Sequence, residues 1–412
     1  MELAFVGAEL VDAGTRWTGR RLTIAGPRII AVDHEHPRAG ATVDLSGFLV
    51  VPGFIDLHTH GGGGFALHTT EPAEIRAYAR WVTRTGTTAF LVNVVGVPEG
   101  LPERQLVAAV QAVTAHDQGA LPLGIYLEGP FLNPSRRGAH HPSWLRLPDR
   151  ALAERLLSLT GGHLRVVTLA PELPSALDVL DRLVAAGVTV ALGHTDATYE
   201  VARQAFARGA RLLTHCFNAM PPLLHRAPGP LGALVECPEA YGELVTDGHH
   251  VLPPVMRVLT RALGPERTIV VTDAQPGAGL PTGTTFVFAG LTARVDGDLA
   301  RLADGTIAGS LLTMDRALRN LVELVDVPVE QAVRMLSETP ARVLGLAHRK
   351  GRLVPGYDAD FVVLDPSLCV HGTVCRGRVA YASPAFAERL VAAGVPLDRD
   401  VAEPANAPGS TP

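Results

Sequence analysis

The chain has 412 residues and a mass of 43.5 kDa, with 47% hydrophobic and 19% charged residues and a mean hydropathy of +0.20. That is enough apolar material for a substantial core and excludes global disorder; its length suits two or three domains, or one large barrel with an appendage. A net charge of −5 and a pI near 6.3 give no positive field toward nucleic acid or an anionic membrane.

The opening MELAFVGAEL lacks a basic leader, and no apolar run approaches the roughly 20 residues of a membrane span. Cys216, Cys237, Cys369 and Cys375 form no CxxC pair and are too few for a disulfide scaffold, so a cytoplasmic location is expected. Lys350 is the only lysine, so 35 of the 36 basic side chains are arginine. It lies in HRKGR, which reads as a polar turn. Schiff-base aldolases, pyridoxal enzymes and P-loop nucleotidases all need a placed lysine amine and are excluded.

In chain order, residues 1–52 read as short β-runs (LAFVGAEL, RLTIAG, RIIAVD, GFLVV) separated by Gly, Pro and Asp. From residue 53 to about 345, apolar strand-like runs alternate with helical stretches. The runs are GFIDLH, TAFLVNVVG, LGIYLEG, LRVVTLA, TVALGH, RLLTHCFN, ELVTDG and TIVVTDA. Eight near-continuous apolar strands among helices predict an α/β fold, a (β/α)8 TIM-type barrel whose parallel sheet is buried on both faces. Residues 284–303 predict a β-hairpin inserted after the eighth run. β-patterning returns over 346–383, so the two flanks are expected to pair as a small β-sandwich. Residues 384–412, ending AEPANAPGSTP, read as a partly disordered tail.

The chemistry-bearing residues fall at equivalent places. His58 and His60 follow the first run, Glu128 the third, His194 the fifth, His215 the sixth and Asp273 the eighth. One such histidine is more often a hydrogen-bonded core residue than a ligand. Six ligand-type or acid/base groups at strand ends are another matter, because that rim is where barrel active sites form. Imidazole and carboxylate suit Zn, Fe, Mn or Co, and an open coordination position would hold water whose pKa zinc can lower from about 15.7 to about 7. On a strand, an HxH pair points both rings to one face.

The segments PGFIDLHTHG, LEGPFLNPSRRGAHHP, LGHTDATY, THCFNAMPP, TDGHHV, VTDA and DGTIAGSLLTM resemble the N-acetylglucosamine-6-phosphate deacetylases of the amidohydrolase superfamily, in order, over roughly residues 1–382. LEGPFLN, HCFNAM and TIAGS mark this branch; HxH alone marks only the superfamily. The resemblance implies hydrolysis of the acetamide of N-acetylglucosamine 6-phosphate, with the galacto epimer or another N-acyl amino sugar as the alternative. It also implies one or two divalent metals per chain (zinc first, with iron, manganese, cobalt or nickel as alternatives) and a homodimer. Glu128, His194 and His215 resemble the common metal ligands, and His58 and His60 a second-metal pair that some members lack. Asp273 resembles the catalytic acid/base. Ala139 and His140 fall where substrate is contacted, Asn218, Ala219, Arg226 and His250 where the sugar phosphate is held, and Ile307, Ala308 and Gly309 along the same pocket.

Cyclic-amide relatives bridge their metals with a carboxylated lysine after the fourth strand. Here that region reads RVVTLAPEL, and Glu128 is the available anion. A barrel that had lost its chemistry would have lost a ligand or Asp273, and all six positions are occupied. Arg226, in the proline-rich PLLHRAPGP, is either a solvated surface arginine or a bidentate phosphate ligand. His249 reads as loop. The GGGG at 61–64 lacks the Lys and spacing of a phosphate cradle, so it is expected to let backbone pass close to the metals. Cys216 reads as a small buried hydrophobe. His68, His116 and His163 receive no role.

Overall fold

The structure, a computed structural model, describes residues 2–34, 40–116, 118–305, 307–397 and 401. All eight runs are strands: Phe54–Asp56, Thr87–Val95, Leu121–Glu128, Leu164–Leu169, Thr189–Leu192, Leu212–Leu213, Tyr241–Val245 and Thr268–Val271. They pair in sequence order, every neighbour parallel. Both faces are covered: all nine residues of Thr87–Val95 and all four of Thr268–Val271 are buried. This is why the strands read as continuous apolar runs rather than alternating ones.

The first and eighth strands share no ladder, yet their ends are tied together. The Asp273 amide donates to the His58 carbonyl at 2.8 Å, and the His60 amide to the Ala274 carbonyl at 2.8 Å. Below them Asp56 accepts from the Thr272 hydroxyl at 2.6 Å. Burial pushes the Asp56 carboxyl up to about 7 against the pull of those hydrogen bonds. The seam therefore closes at the rim where the functional groups sit.

Helices pack outside with one apolar face inward. In Ala176–Ala185 the buried positions are Ala176, Val179, Leu180 and Leu183, the i, i+3, i+4, i+7 stripe of a half-buried helix. Arg150–Thr160 begins where Asp149 accepts from the Leu152 amide at 3.0 Å and ends at Gly161 in the left-handed region. A cap of that kind is worth about 1 kcal/mol. No helix among the described residues is long and apolar enough to cross a membrane.

After the eighth strand the expected hairpin is larger than the sequence predicts. Thr285–Phe288, Leu291–Asp296, Leu299–Arg301 and Ile307–Ser310 form a four-stranded antiparallel sheet with its own core of Phe286, Ala293, Val295 and Ala300. Its last strand returns to the barrel rim, where the Gln275 amide donates to the Ser310 carbonyl at 2.9 Å.

The flanking segments build two further sheets around one core, in which Phe5 meets Phe361 edge-on at 5.0 Å. The halves join where Leu49–Pro52 pairs antiparallel with Phe361–Leu364, Val51 opposite Val362. Lys350 occupies a turn, but its side chain is buried, with the ammonium 2.9 Å from Asp358 and paired also with Asp360. It holds the sandwich together rather than facing solvent. The stretch from residue 384, expected to open a tail, forms the helix Pro384–Ala392, whose Phe386 and Leu390 are fully buried in the sandwich core. The rest of the expected tail, 398–400 and 402–412, lies outside the described residues.

Candidate active site

Each functional side chain sits at a fixed offset from its strand. Glu128 ends the third strand, while His194, His215 and Asp273 each lie two residues past Leu192, Leu213 and Val271. His58 and His60 lie two and four past Asp56. At the ends of the fifth and eighth strands the backbone is turned into the left-handed region, φ 46° at His194 and 49° at Asp273. Non-glycine residues rarely adopt it except where surrounding structure enforces it, as at functional sites.

Around Glu128 the rings converge. Its Oε1 lies 3.0 Å from His194 Nε2, 3.2 Å from His215 Nε2 and 3.6 Å from His58 Nε2. Its Oε2 lies 3.3 Å from His140 Nε2 and 3.4 Å from His60 Nε2. Asp273 Oδ1 is 3.1 Å from His60 Nε2 and 3.7 Å from His58 Nε2. His194 donates from Nδ1 to the Arg136 carbonyl at 2.9 Å, so a neutral ring turns the Nε2 lone pair toward a carboxylate. Two acceptors at 3.0 Å repel unless a cation lies between them. On a tetrahedral cation with bonds of about 2.0–2.1 Å, neighbouring donor atoms stand about 3.3 Å apart, close to the spacings seen. Glu128, His194 and His215 form one such set, and His58, His60 and Asp273 a second. The donor set fits a divalent metal.

Electrostatics agree. Burial opposes charge on His58, but Glu128 and Glu243 outweigh it and raise the imidazole well above its usual value. Burial would raise Glu128, and His58 and His140 hold it well below the carboxylate range instead. Asp273 is likewise held low against burial, by its hydrogen bond to His60 and the charge of His58 and His60. It stands ionised.

These groups open onto a cavity of about 520 Å³. Ala139, His140, Asn218, Ala219 and His250 line it, and so do Ile307, Ala308 and Gly309 from the inserted sheet. His249, expected to be plain loop, lines it too. Arg226 is exposed in a turn bridged at Leu224 and Ala227, and is not among the lining residues. His250 Nδ1 contacts Asp247 Oδ2 at 2.6 Å. Burial lowers the His250 pKa, but the hydrogen bond and charge of Asp247 outweigh it, and the imidazole sits above its usual value.

The glycine run serves a different contact from the one expected. A Cβ on Gly62 or Gly63 would stand 2.4–2.5 Å from the Trp81 indole. Close packing of that ring, rather than room for metals, demands glycine there. Cys216 is fully buried and burial raises its thiol pKa, as a small hydrophobe requires. His68 is half-buried, accepts the Val95 amide at 3.2 Å and is lowered to about 4, chiefly by desolvation, so it is neutral support for the rim.

Three further residues escaped the sequence reading. Glu243, fully buried within the seventh strand, lies 3.0 Å from His58 Nδ1. Its signal was a lone acid inside the apolar run YGELV. Glu172, after the fourth strand, accepts from Asn133 Nδ2 at 2.8 Å, from the Asp196 amide at 2.6 Å and from the Thr195 hydroxyl, tying the loops that carry His140 and His194. Phe288 stacks 5.1 Å from His60 and roofs the cavity.

Residues 49–380 match the family model described as Amidohydrolase family. The chain belongs to the amidohydrolase family and, within it, to the branch of N-acetylglucosamine-6-phosphate deacetylases. It is 37% identical to an N-acetylgalactosamine-6-phosphate deacetylase of Escherichia coli O157:H7, over 87% of this chain and 94% of the relative. It is 33% identical to the N-acetylglucosamine-6-phosphate deacetylase of Bacillus subtilis (strain 168), over 86% and 91%. Among solved structures it is similar to a mutant N-acetyl-D-glucosamine-6-phosphate deacetylase of Mycobacterium smegmatis in complex with N-acetyl-D-glucosamine-6-phosphate. That similarity has a TM-score of 0.85 at 36% identity, covering 93% of this chain and 99% of the other.

Proposed function

We propose that this chain hydrolyses the acetamide of N-acetylglucosamine 6-phosphate to glucosamine 6-phosphate and acetate. The observation that carries the reading is the convergence of Glu128, His194, His215 and Asp273 on one cavity whose rim also bears Asn218 and His250. Glu128, His194 and His215 would hold a divalent cation, which would supply a water activated at neutral pH and a Lewis acid for the carbonyl. His140, beside Glu128, donates to the acetamide oxygen as charge builds there. Asp273, held ionised, takes the water proton and returns it to the nitrogen, because an amine can leave at neutral pH and an amide anion cannot. Asn218, the Ala219 backbone and His250 hold the phosphate, and Ala139, Ile307, Ala308 and Gly309 orient the sugar.

Zinc is the metal favoured by the imidazole–carboxylate set, with a second cation on His58 and His60 that assists without being essential. The chain acts in the cytoplasm as a homodimer. Exposed Leu223, Leu224, Val235, Leu252, Val255 and Val258 lie on the loops and helices after the sixth and seventh strands and support that pairing. Arg226 stands on the same surface, away from its own cavity lining, so its role as a phosphate ligand belongs to the site of the second copy.

The relative named as an N-acetylgalactosamine-6-phosphate deacetylase supports a second reading, the galacto epimer as substrate. Acetate release from the two epimeric 6-phosphates and from unphosphorylated N-acetylglucosamine separates them. The gluco 6-phosphate should give the highest kcat/KM and the unphosphorylated sugar the lowest. A preference for the galacto epimer would replace the first reading with the second.

A further inference from the structure

Glu243 is a fully buried carboxylate in the middle of the seventh strand, with no place in the hydrolytic scheme above. Burying an ion is costly unless it is paired and hydrogen-bonded. Its Oε2 accepts from the Thr214 hydroxyl at 2.7 Å and the His215 amide at 3.3 Å, and faces His58 Nδ1 at 3.0 Å. Among the described residues its ion-pair partner is His58.

We propose that Glu243 is a positioning residue that fixes His58 as the Nδ1–H tautomer and thereby builds the second cation site with His60 and Asp273. The inference rests on the two-metal reading given above. An ionised carboxylate only accepts, so the proton shared with His58 lies on Nδ1. His58 Nε2 faces the carboxylates Glu128 at 3.6 Å and Asp273 at 3.7 Å; a proton there gives the raised imidazole described above, and a cation taking that proton's place meets the Nε2 lone pair. Among the described residues the atom is buried without a hydrogen-bond partner. A lone pair aimed at carboxylates in a dry site is the arrangement a cation occupies.

The two candidate sites differ in what stands behind their histidines. His194 is backed by a neutral carbonyl, that of Arg136, whereas His58 is backed by a full negative charge. A carboxylate behind a ligand imidazole orients the ring and raises its basicity, and removing such a partner typically costs 10–100-fold in metal affinity. The His58 site should depend on Glu243 more than the Glu128 site does. The ring of Tyr126 stacks 4.6 Å from His58, and its hydroxyl contacts Thr214 Oγ1 at 2.9 Å, so the floor holds both partners in register.

The test titrates metal-free protein with Zn²⁺ by calorimetry and counts bound Zn²⁺ by elemental analysis in wild type, Glu243→Gln and the double variant His58→Gln, His60→Asn. Wild type should hold two Zn²⁺. Glu243→Gln, nearly isosteric, should keep the tighter site and bind the second Zn²⁺ 10–100-fold more weakly, while the double variant holds one. Nitrogen NMR of histidine-labelled wild type, with His58 assigned by its loss in His58→Gln, should find the proton on Nδ1 in the Zn²⁺-loaded state. That readout needs no Glu243 variant to fold. An Nε2–H tautomer, or unchanged second-site affinity in Glu243→Gln beside two Zn²⁺ in wild type, overturns this inference alone. One Zn²⁺ in wild type overturns the two-metal reading and this inference with it.

Discussion

Asp273 and His250 each carry a charge set by a neighbour, and each gives a direct test. Asp273→Asn removes the proton acceptor while keeping the shape, so kcat should fall roughly 10²–10⁴-fold, the range for general acid–base catalysis. Zinc at Glu128, His194 and His215 should remain by elemental analysis, and a variant keeping a third of the wild-type kcat would contradict the role. For His250 the folded pKa lies above the ordinary value because Asp247 outweighs burial. Its positive charge is therefore fully present below about pH 6.5 and is lost only as pH rises through the raised value. KM for the 6-phosphate should rise at that higher pH, and in Asp247→Asn the rise should begin at lower pH. A KM profile that does not move would place His250 outside phosphate binding. The six strand-end groups were legible because each follows an apolar run, His58 and His60 sharing the first. Glu243 was not, because its partner His58 lies 185 positions away in sequence and meets it only when the barrel closes.

At the scale of elements, all eight barrel strands could be read, even Leu212–Leu213 with its two residues. Burial on both faces leaves an apolar signature that survives short length. The inserted sheet was seen only in part, since Ile307–Ser310 pairs across a turn and has little apolar pattern of its own. The helix Pro384–Ala392 was missed although Ser383 caps it and Phe386 and Leu390 stand four apart on one face. The alanine- and proline-rich stretch beyond it dominated the local composition. If that helix belongs to the sandwich core, Phe386→Ala should cost about 3–5 kcal/mol of stability, as for other buried aromatic truncations, measured by denaturant unfolding. A loss under 1 kcal/mol would detach it. Gly193 tests the rim in the same way. A Cβ there would stand 1.9 Å from Thr214 Cγ2, so Gly193→Ala must push the fifth and sixth strand ends apart. A cost of about 1–3 kcal/mol is expected, with lower zinc occupancy because His194 and His215 lie on those two ends.

At the scale of the whole molecule, a parallel barrel gathers side chains that lie more than two hundred residues apart in sequence onto one rim, where the inserted sheet lines the cavity, while the sandwich joins the barrel at the opposite strand ends. The proposed homodimer would bring Arg226 to the phosphate site of the second copy, so Arg226→Ala should raise KM about ten- to a hundredfold, in line with a lost charged hydrogen bond of about 1.5–3 kcal/mol. The central claim is that the Glu128-centred cluster makes this chain a metal-dependent deacetylase. It is tested most directly by acetate release from N-acetylglucosamine 6-phosphate in metal-free protein, after stepwise return of Zn²⁺, for wild type and His194→Ala. Wild type should be inactive without metal and recover as the first Zn²⁺ binds, and His194→Ala should stay inactive at every Zn²⁺ level. Full activity in metal-free protein, or in His194→Ala, would contradict the account.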